Sequence, residues 1–313
     1  MNESQASSSG STSTNGSGGG SAPGTLAALG RTPPPIFDRE EVLARLEKCV
    51  ENRQAIVGAG SSCGLVAKSA EAGGADLIIV YSTGISRLRG LPTTIFGSPN
   101  DMTLAMSDEI LNVVEDTPVI CGVEAADPNY VRLPRLLAKV EEAGYSGVIN
   151  FPTVTLFEPG SSQRRQRESL GFGFARELEL VALARERKLF TMAYVFQEEE
   201  AASMVDAGVD CLVVHVGATR GGMDGFGAAP LDRALQRVDA VLDAARSRRD
   251  DVLVLAHGGP FDVPENVAEL YRATDAQGFV GASSVERIPI ENAVAGAVRS
   301  FKESTTRTPD AGA

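Results

Sequence analysis

The chain contains two histidines, His215 and His257, and each falls at the end of a short apolar run, Cys211 to Val214 and Val252 to Ala256. Imidazole titrates near neutral pH, so two at one site could relay a proton, polarise a carbonyl or supply part of a metal site. The plainer alternative is a pair of buried histidines bonded to backbone. Two later run ends read His257-Gly258-Gly259-Pro260 and Gly281-Ala282-Ser283-Ser284, with Glu286 and Arg287 following. Glycine lets backbone N–H groups approach an anion, the two hydroxyls add donors, and Arg287 adds a charge-assisted bond. These loops therefore predict a phosphate or carboxylate site, although glycine equally serves a tight turn.

Other run ends supply further pocket candidates: Gly58, Gly60 and Ser61 after the first, Ser82 and Arg87 after the second, Asn150 and Thr153 after the fourth, and Tyr194 at the fifth. Arg87 and Arg89 fit an anion or a solvated surface equally well. Glu124, Asp127 and Glu286 are the carboxylates near run ends, suited to acid-base work or metal ligation. Glu124 is the candidate for holding Mg2+ beside an enolate, although no ligand spacing specifies a metal. Cys63 follows the first run as a candidate nucleophile or a packed thiol.

Positioning these residues requires a repeating frame. From Asp38, whose Asp38-Arg39-Glu40-Glu41 has capping-box spacing, a short apolar run, a helical stretch and an Ala-Gly turn recur along the chain. The turns read Glu71-Ala72-Gly73-Gly74, Glu142-Ala143-Gly144 and Asp206-Ala207-Gly208. The runs are Ala55 to Val57, Leu77 to Val80, Val119 to Cys121, Gly147 to Ile149, Phe190 to Tyr194, Cys211 to Val214, Val252 to Ala256 and Phe279 to Gly281. Eight β-α units in roughly 260 residues predict a single (β/α)8 TIM barrel over residues 36–302, with the active site at the strands' carboxyl ends. A dinucleotide fingerprint after Gly58-Ala59-Gly60 would need glycine where Cys63 stands.

The charge, 29 − 41 = −12, excludes a nucleic-acid binder driven by phosphate attraction. No apolar run approaches the roughly 18 residues that span a bilayer, so no membrane role is expected. Ser, Gly and Pro dominate residues 1–35, which predicts a disordered tail, and a second frayed end is expected over 303–313. The absence of a basic-then-apolar leader and of any paired cysteine spacing among Cys49, Cys63, Cys121 and Cys211 predicts a cytoplasmic protein. Apolar faces on the helices after Asp239 and Glu291 predict packing within one barrel or between two, and a homo-oligomer is expected.

Several motifs in order, Gly73-Gly74-Ala75-Asp76-Leu77, Asn150-Phe151-Pro152-Thr153-Val154, His257-Gly258-Gly259-Pro260 and Gly281 to Pro289, resemble the phosphoenolpyruvate hydrolase-like TIM-barrel family. That family also resembles the carboxyl-terminal half of a plant tobamovirus-resistance protein. The resemblance spans residues 38–302. It implies a barrel of the phosphoenolpyruvate/pyruvate group, a hydrolase or lyase for a small anionic keto/enol substrate. It also implies pocket positions at Asn150, Thr153, His215, His257, Gly258, Gly259, Ser283, Ser284, Glu286 and Arg287. The family's Tyr-Asn-Ser-Gly-Arg loop reads Tyr81-Ser82-Thr83-Gly84-Ile85 here, with its arginine displaced to Arg87, and Pro159 to Arg165 looks inserted. Such loop changes bear on substrate identity. The Lys-Lys-Cys-Gly-His signature of isocitrate lyases is missing from the sequence. The rival expectation is a barrel that binds a ligand or protein in signalling or antiviral inhibition without turnover.

Overall fold

The computed structural model describes residues 36–304, so the expected tail over 1–35 and the end beyond Ser304 lie outside the described residues. Eight strands pair in parallel and close: β1 (Ile56–Gly60), β2 (Leu77–Val80), β3 (Val119–Gly122), β4 (Gly147–Ile149), β5 (Phe190–Val195), β6 (Cys211–His215), β7 (Leu253–His257) and β8 (Gly278–Gly281). The helices are α1 (Arg39–Glu51), α2 (Gly64–Ala72), α3 (Ser82–Leu88), α4 (Pro99–Ala105), α5 (Ser107–Leu111), α6 (Leu133–Glu142), α7 (Ser162–Ser169), α8 (Phe174–Glu186), α9 (Glu198–Asp206), α10 (Leu231–Arg246), α11 (Pro264–Ala273) and α12 (Arg287–Glu303). This is the expected (β/α)8 barrel. The inserted-looking segment after β4 forms α7, and α12 runs on to Glu303 where fraying was expected.

Strand side chains alternate faces, and the alternation selects what reaches the barrel mouth. Along β2, Leu77, Ile79 and the following Tyr81 belong to the interior cluster, whereas Ile78 and Val80 pack outward with α6 residues such as Leu136 and Val140. Phe190, Met192 and Tyr194 on β5 keep the same phase, as do Cys211 and Val213 on β6 and Leu253 and Leu255 on β7. Two residues further along β6 and β7 stand His215 and His257, paired in register. The inward phase therefore ends in two tyrosines and two histidines at the catalytic end of the fold.

Helix α1 closes the opposite end. Asp38 accepts from the Glu41 N–H while Glu41 accepts from the Asp38 N–H, the expected capping box. Val42 and Leu46 then sit in the interior cluster with Ile56 and Leu77.

One local expectation is overturned. Gly58 and Gly60 are not loop residues but belong to β1, paired with Leu77 and Ile79 of β2. A Cβ at Gly60 would lie 2.9 Å from the Ala282 Cα, so glycine there permits close strand contact and not ligand approach.

Candidate active site

A cavity of about 470 Å3 opens at the carboxyl ends of the strands. Its walls include Arg87, Tyr194, His215, His257 and Ser283 from the sequence candidates, joined by Tyr81, Phe151 and Phe196. A neighbouring cavity of about 720 Å3, between α9 and α10, shares Phe196, His215 and Gly217 with it.

The two imidazoles face each other with centroids 4.8 Å apart and planes at 65°. Their backbone partners differ in kind. His257 Nδ1 lies 2.7 Å from the Val280 carbonyl, which only accepts, so Nδ1 carries the proton and Nε2 is a base. His215 Nδ1 accepts from the Gly217 N–H at 3.1 Å, so the neutral ring carries its proton on Nε2 and is a hydrogen-bond donor there. Burial is the main cause that pushes the His257 pKa down to about 4, with Arg87 adding to the depression and the Val280 bond opposing it. Burial also holds His215 well below its ordinary value, reinforced by the charge of His257. Both rings are neutral at pH 7, a hydrogen-bond donor and a base of opposite tautomer side by side. Phe196 stacks on His215 with centroids 4.5 Å apart and fixes its plane.

Arg87 supplies the fixed positive charge. Its Nε donates to Glu286 Oε2 at 2.9 Å, and both side chains are buried. Glu286 Oε1 accepts from the Ser62 N–H at 2.8 Å. Arg87 Nη2 is 2.8 Å from the same Oε2 yet is without a hydrogen-bond partner, so the angle is wrong and a donor is left over. The Ser61 and Ser82 hydroxyls are likewise buried and unpartnered. Of these three residues Arg87 lines the cavity, and Ser61 and Ser82 lie behind its wall.

Tyr81 and Tyr194 meet across the barrel, hydroxyl to hydroxyl, at 2.6 Å. Phe151 stands edge-on to both, with centroids 5.3 Å from each. Burial raises both phenols far above their ordinary pKa, so they remain protonated.

Other expected site residues lie outside this wall. Asn150 is buried with its amide on Glu177 Oε2 at 2.6 Å and its oxygen on the Tyr194 N–H. Thr153 donates to the same carboxylate, and the Val154 N–H reaches it at 2.7 Å. These residues brace the loop after β4. Glu286 is spent on Arg87 and Ser62. Arg287 donates to Glu291 and to the Gly221 carbonyl, so it fastens the loop after β6. Gly259 donates its N–H to the Gly217 carbonyl and has φ +53°, which only glycine adopts easily; it and Gly258 serve loop packing. Ser284 is half-buried and does not contribute to the cavity wall.

The carboxylates do not fit the expected Mg2+. Asp127 has one oxygen on the Asn129 N–H and the other on Asn100 and Ser98. Glu286 is engaged, which leaves Glu124. Burial, then Asp127, raises its pKa to about 7. Among the described residues no three His, Cys, Asp or Glu side chains gather as a metal site.

Glu177 escaped the sequence reading. It lies on the buried stripe of α8 with Leu180, Val181 and Ala184, and an acid on an apolar stripe was the available signal. Tyr81 was visible as a strand-end residue, but its pairing with Tyr194 depends on barrel closure.

The chain is a closed parallel eight-stranded barrel whose carboxyl-end cavity gathers Tyr81, Arg87, Tyr194, His215 and His257. The model of the phosphoenolpyruvate hydrolase-like family matches residues 41–304, and the chain belongs to that family. It is 38% identical over 276 residues to the ToMV resistance protein Tm-1(GCR237) of Solanum lycopersicum, covering 86% of this chain and 36% of that protein. The chain thus spans about a third of that relative's length. The ToMV susceptible protein tm-1(GCR26) of the same plant matches to the same degree. Among solved structures, oxaloacetate acetylhydrolase superposes with TM-score 0.58 at 18% identity, over 88% of this chain and 91% of that one. Phosphonopyruvate hydrolase in complex with oxalate and Mg2+ gives TM-score 0.51 at 18% identity, over 83% and 84%. At those identities the likeness shows a shared fold.

Proposed function

We propose that the mouth is the active site of a hydrolase or carbon–carbon lyase acting on a small phosphorylated or carboxylated keto/enol compound of the phosphoenolpyruvate/pyruvate type. The observation that carries this reading is the pair His215 and His257, held by backbone in opposite tautomers inside one cavity. His257 Nε2 takes a proton from the substrate, His215 Nε2–H donates a hydrogen bond to it, and Arg87 contacts the anionic group. Low basicity keeps both rings uncharged, so near neutral pH His257 is free to accept a proton and His215 to donate a hydrogen bond. The names of the structural neighbours, hydrolases of oxaloacetate and phosphonopyruvate, support the substrate class.

The test is a thermal-shift screen against small keto acids and phosphorylated enols, with and without Mg2+, followed by turnover of each stabilising compound. Consumption of a stabilising keto or enol acid is the expected result. The match to a virus-resistance protein favours a second reading, a barrel that binds without turnover. A compound that stabilises the protein and is never consumed would decide for it.

A homo-oligomer and a cytoplasmic location belong to the same proposal. Ile290, Val294, Val298 and Phe301 form an exposed apolar stripe along α12, which supports self-association. Sedimentation of the purified chain checks it. The four cysteines are free, and among the described residues no helix is long and apolar enough to cross a membrane.

A further inference from the structure

The carboxylates near the mouth are spent except Glu124, yet the proposed reaction puts negative charge on a carbonyl oxygen, and that charge needs an electrophile. Tyr81 and Tyr194 fit the requirement. Two phenols bring two O–H protons, and their mutual bond at 2.6 Å uses one. No other hydrogen bond engages either hydroxyl among the described residues, so one O–H remains to be donated. Both residues contribute to the cavity wall, and both are almost wholly buried. Phe151 fixes the rings from the side, and the Tyr194 ring lies 5.1 Å from His257 and 5.5 Å from His215, centroid to centroid.

We propose that Tyr81 and Tyr194 form a two-phenol oxyanion site that binds the enolate oxygen of the substrate without a divalent cation. The inference rests on the reading of the mouth as a keto/enol site. When His257 Nε2 removes a proton from the carbon beside a keto group, the C–H electron pair becomes the C=C bond. The carbonyl π pair moves to oxygen. That oxygen accepts the unspent phenol O–H as a hydrogen bond, with no proton transferred and nothing oxidised. The mutual bond makes the donating phenol stronger, because the partner that accepts from its neighbour is polarised to donate in turn. Burial keeps the phenols protonated and prevents them from competing as bases.

Oxalate, a planar dianion with the oxygen pattern of an enolised keto acid, is the probe. The protein has five tyrosines and no tryptophan, so near-ultraviolet difference spectra report tyrosine directly. Oxalate is titrated into the full chain in EDTA and again in Mg2+, for wild type, Tyr81→Phe and Tyr194→Phe, with melting curves to verify folding. The expected result is equal binding in both buffers, a tyrosine difference spectrum, and binding weakened about tenfold to a hundredfold in each variant. Binding that requires Mg2+, or that survives both substitutions, overturns the two-phenol site and leaves the keto/enol reading standing. No binding to wild type in either buffer overturns both. If a variant fails to fold, the wild-type spectrum decides: oxalate binding without a tyrosine change overturns the proposal.

Discussion

The two ends of the barrel treat their polar groups in opposite ways. At the amino-terminal end, Asp210 takes two bonds from Arg39 on one oxygen and the N–H and hydroxyl of Thr191 on the other. Glu71 gathers the N–H groups of Glu115, Asp116 and Thr117, and Asp76 accepts from the Val57 N–H. Toward the mouth, the Ser61 and Ser82 hydroxyls have no hydrogen-bond partner among the described residues, and the two imidazoles keep their Nε2 atoms for use. A saturated network stabilises; an unsaturated one costs stability and is retained where a ligand completes it. The contrast fits the proposed division, with stability at one end and chemistry at the other, that the fold has generally.

Substitution tests that division most sharply at His257. His257→Ala is expected to lower turnover of the identified substrate by about 10^2 to 10^4-fold, the usual worth of a general base, with little change in unfolding free energy. A large stability loss with intact turnover would invert the comparison. Asp210→Ala should do the reverse, costing about 3 kcal/mol in urea unfolding by stranding Arg39 and Thr191, with catalytic parameters unchanged in the folded protein.

Glu177 tests the boundary between the two regimes, since it braces the mouth yet is fully saturated. Burial raises its pKa to about 7 against its bonds from Val154, Asn150 and Thr153. A carboxyl whose folded pKa is raised binds its proton more tightly in the native state. Its stabilising effect is complete below the unfolded value near 4.5 and disappears as pH rises through 7. Wild type should therefore lose stability relative to Glu177→Gln between about pH 4.5 and 7 and level off above, at up to about 1.4 kcal/mol per pH unit, measured by urea midpoints across that range. The smallest effect belongs to the exposed Arg45–Asp116 pair at 2.9 Å. Asp116→Ala should change stability by about 0.5 kcal/mol or less, which urea unfolding would resolve from the Asp210 result.

Much of this was legible in the sequence, for identifiable reasons. Parallel strands buried on both faces read as continuous apolar runs, so all eight could be counted, and His215 and His257 stood out because they end two of them. Arg87, Tyr194 and Ser283 were likewise readable as strand-end residues and do line the cavity. The roles of Asn150, Thr153, Glu286 and Arg287 were not readable, because each is set by a partner distant in sequence: Glu177, Arg87 or Gly221. Gly58 and Gly60 misled for another reason. Glycine signals close approach without saying whether a ligand or the next strand approaches.

The sequence by itself determined the β-α repeat, the eight strands, the acidic charge and the phase that places Tyr81, Tyr194, His215 and His257 inward, since alternation is a local property of extended backbone. Only barrel closure decided which of those residues meet. It brought Tyr81 from β2 against Tyr194 from β5 and aligned His215 with His257. It also gave each imidazole its tautomer through a carbonyl or an N–H supplied by the folded backbone.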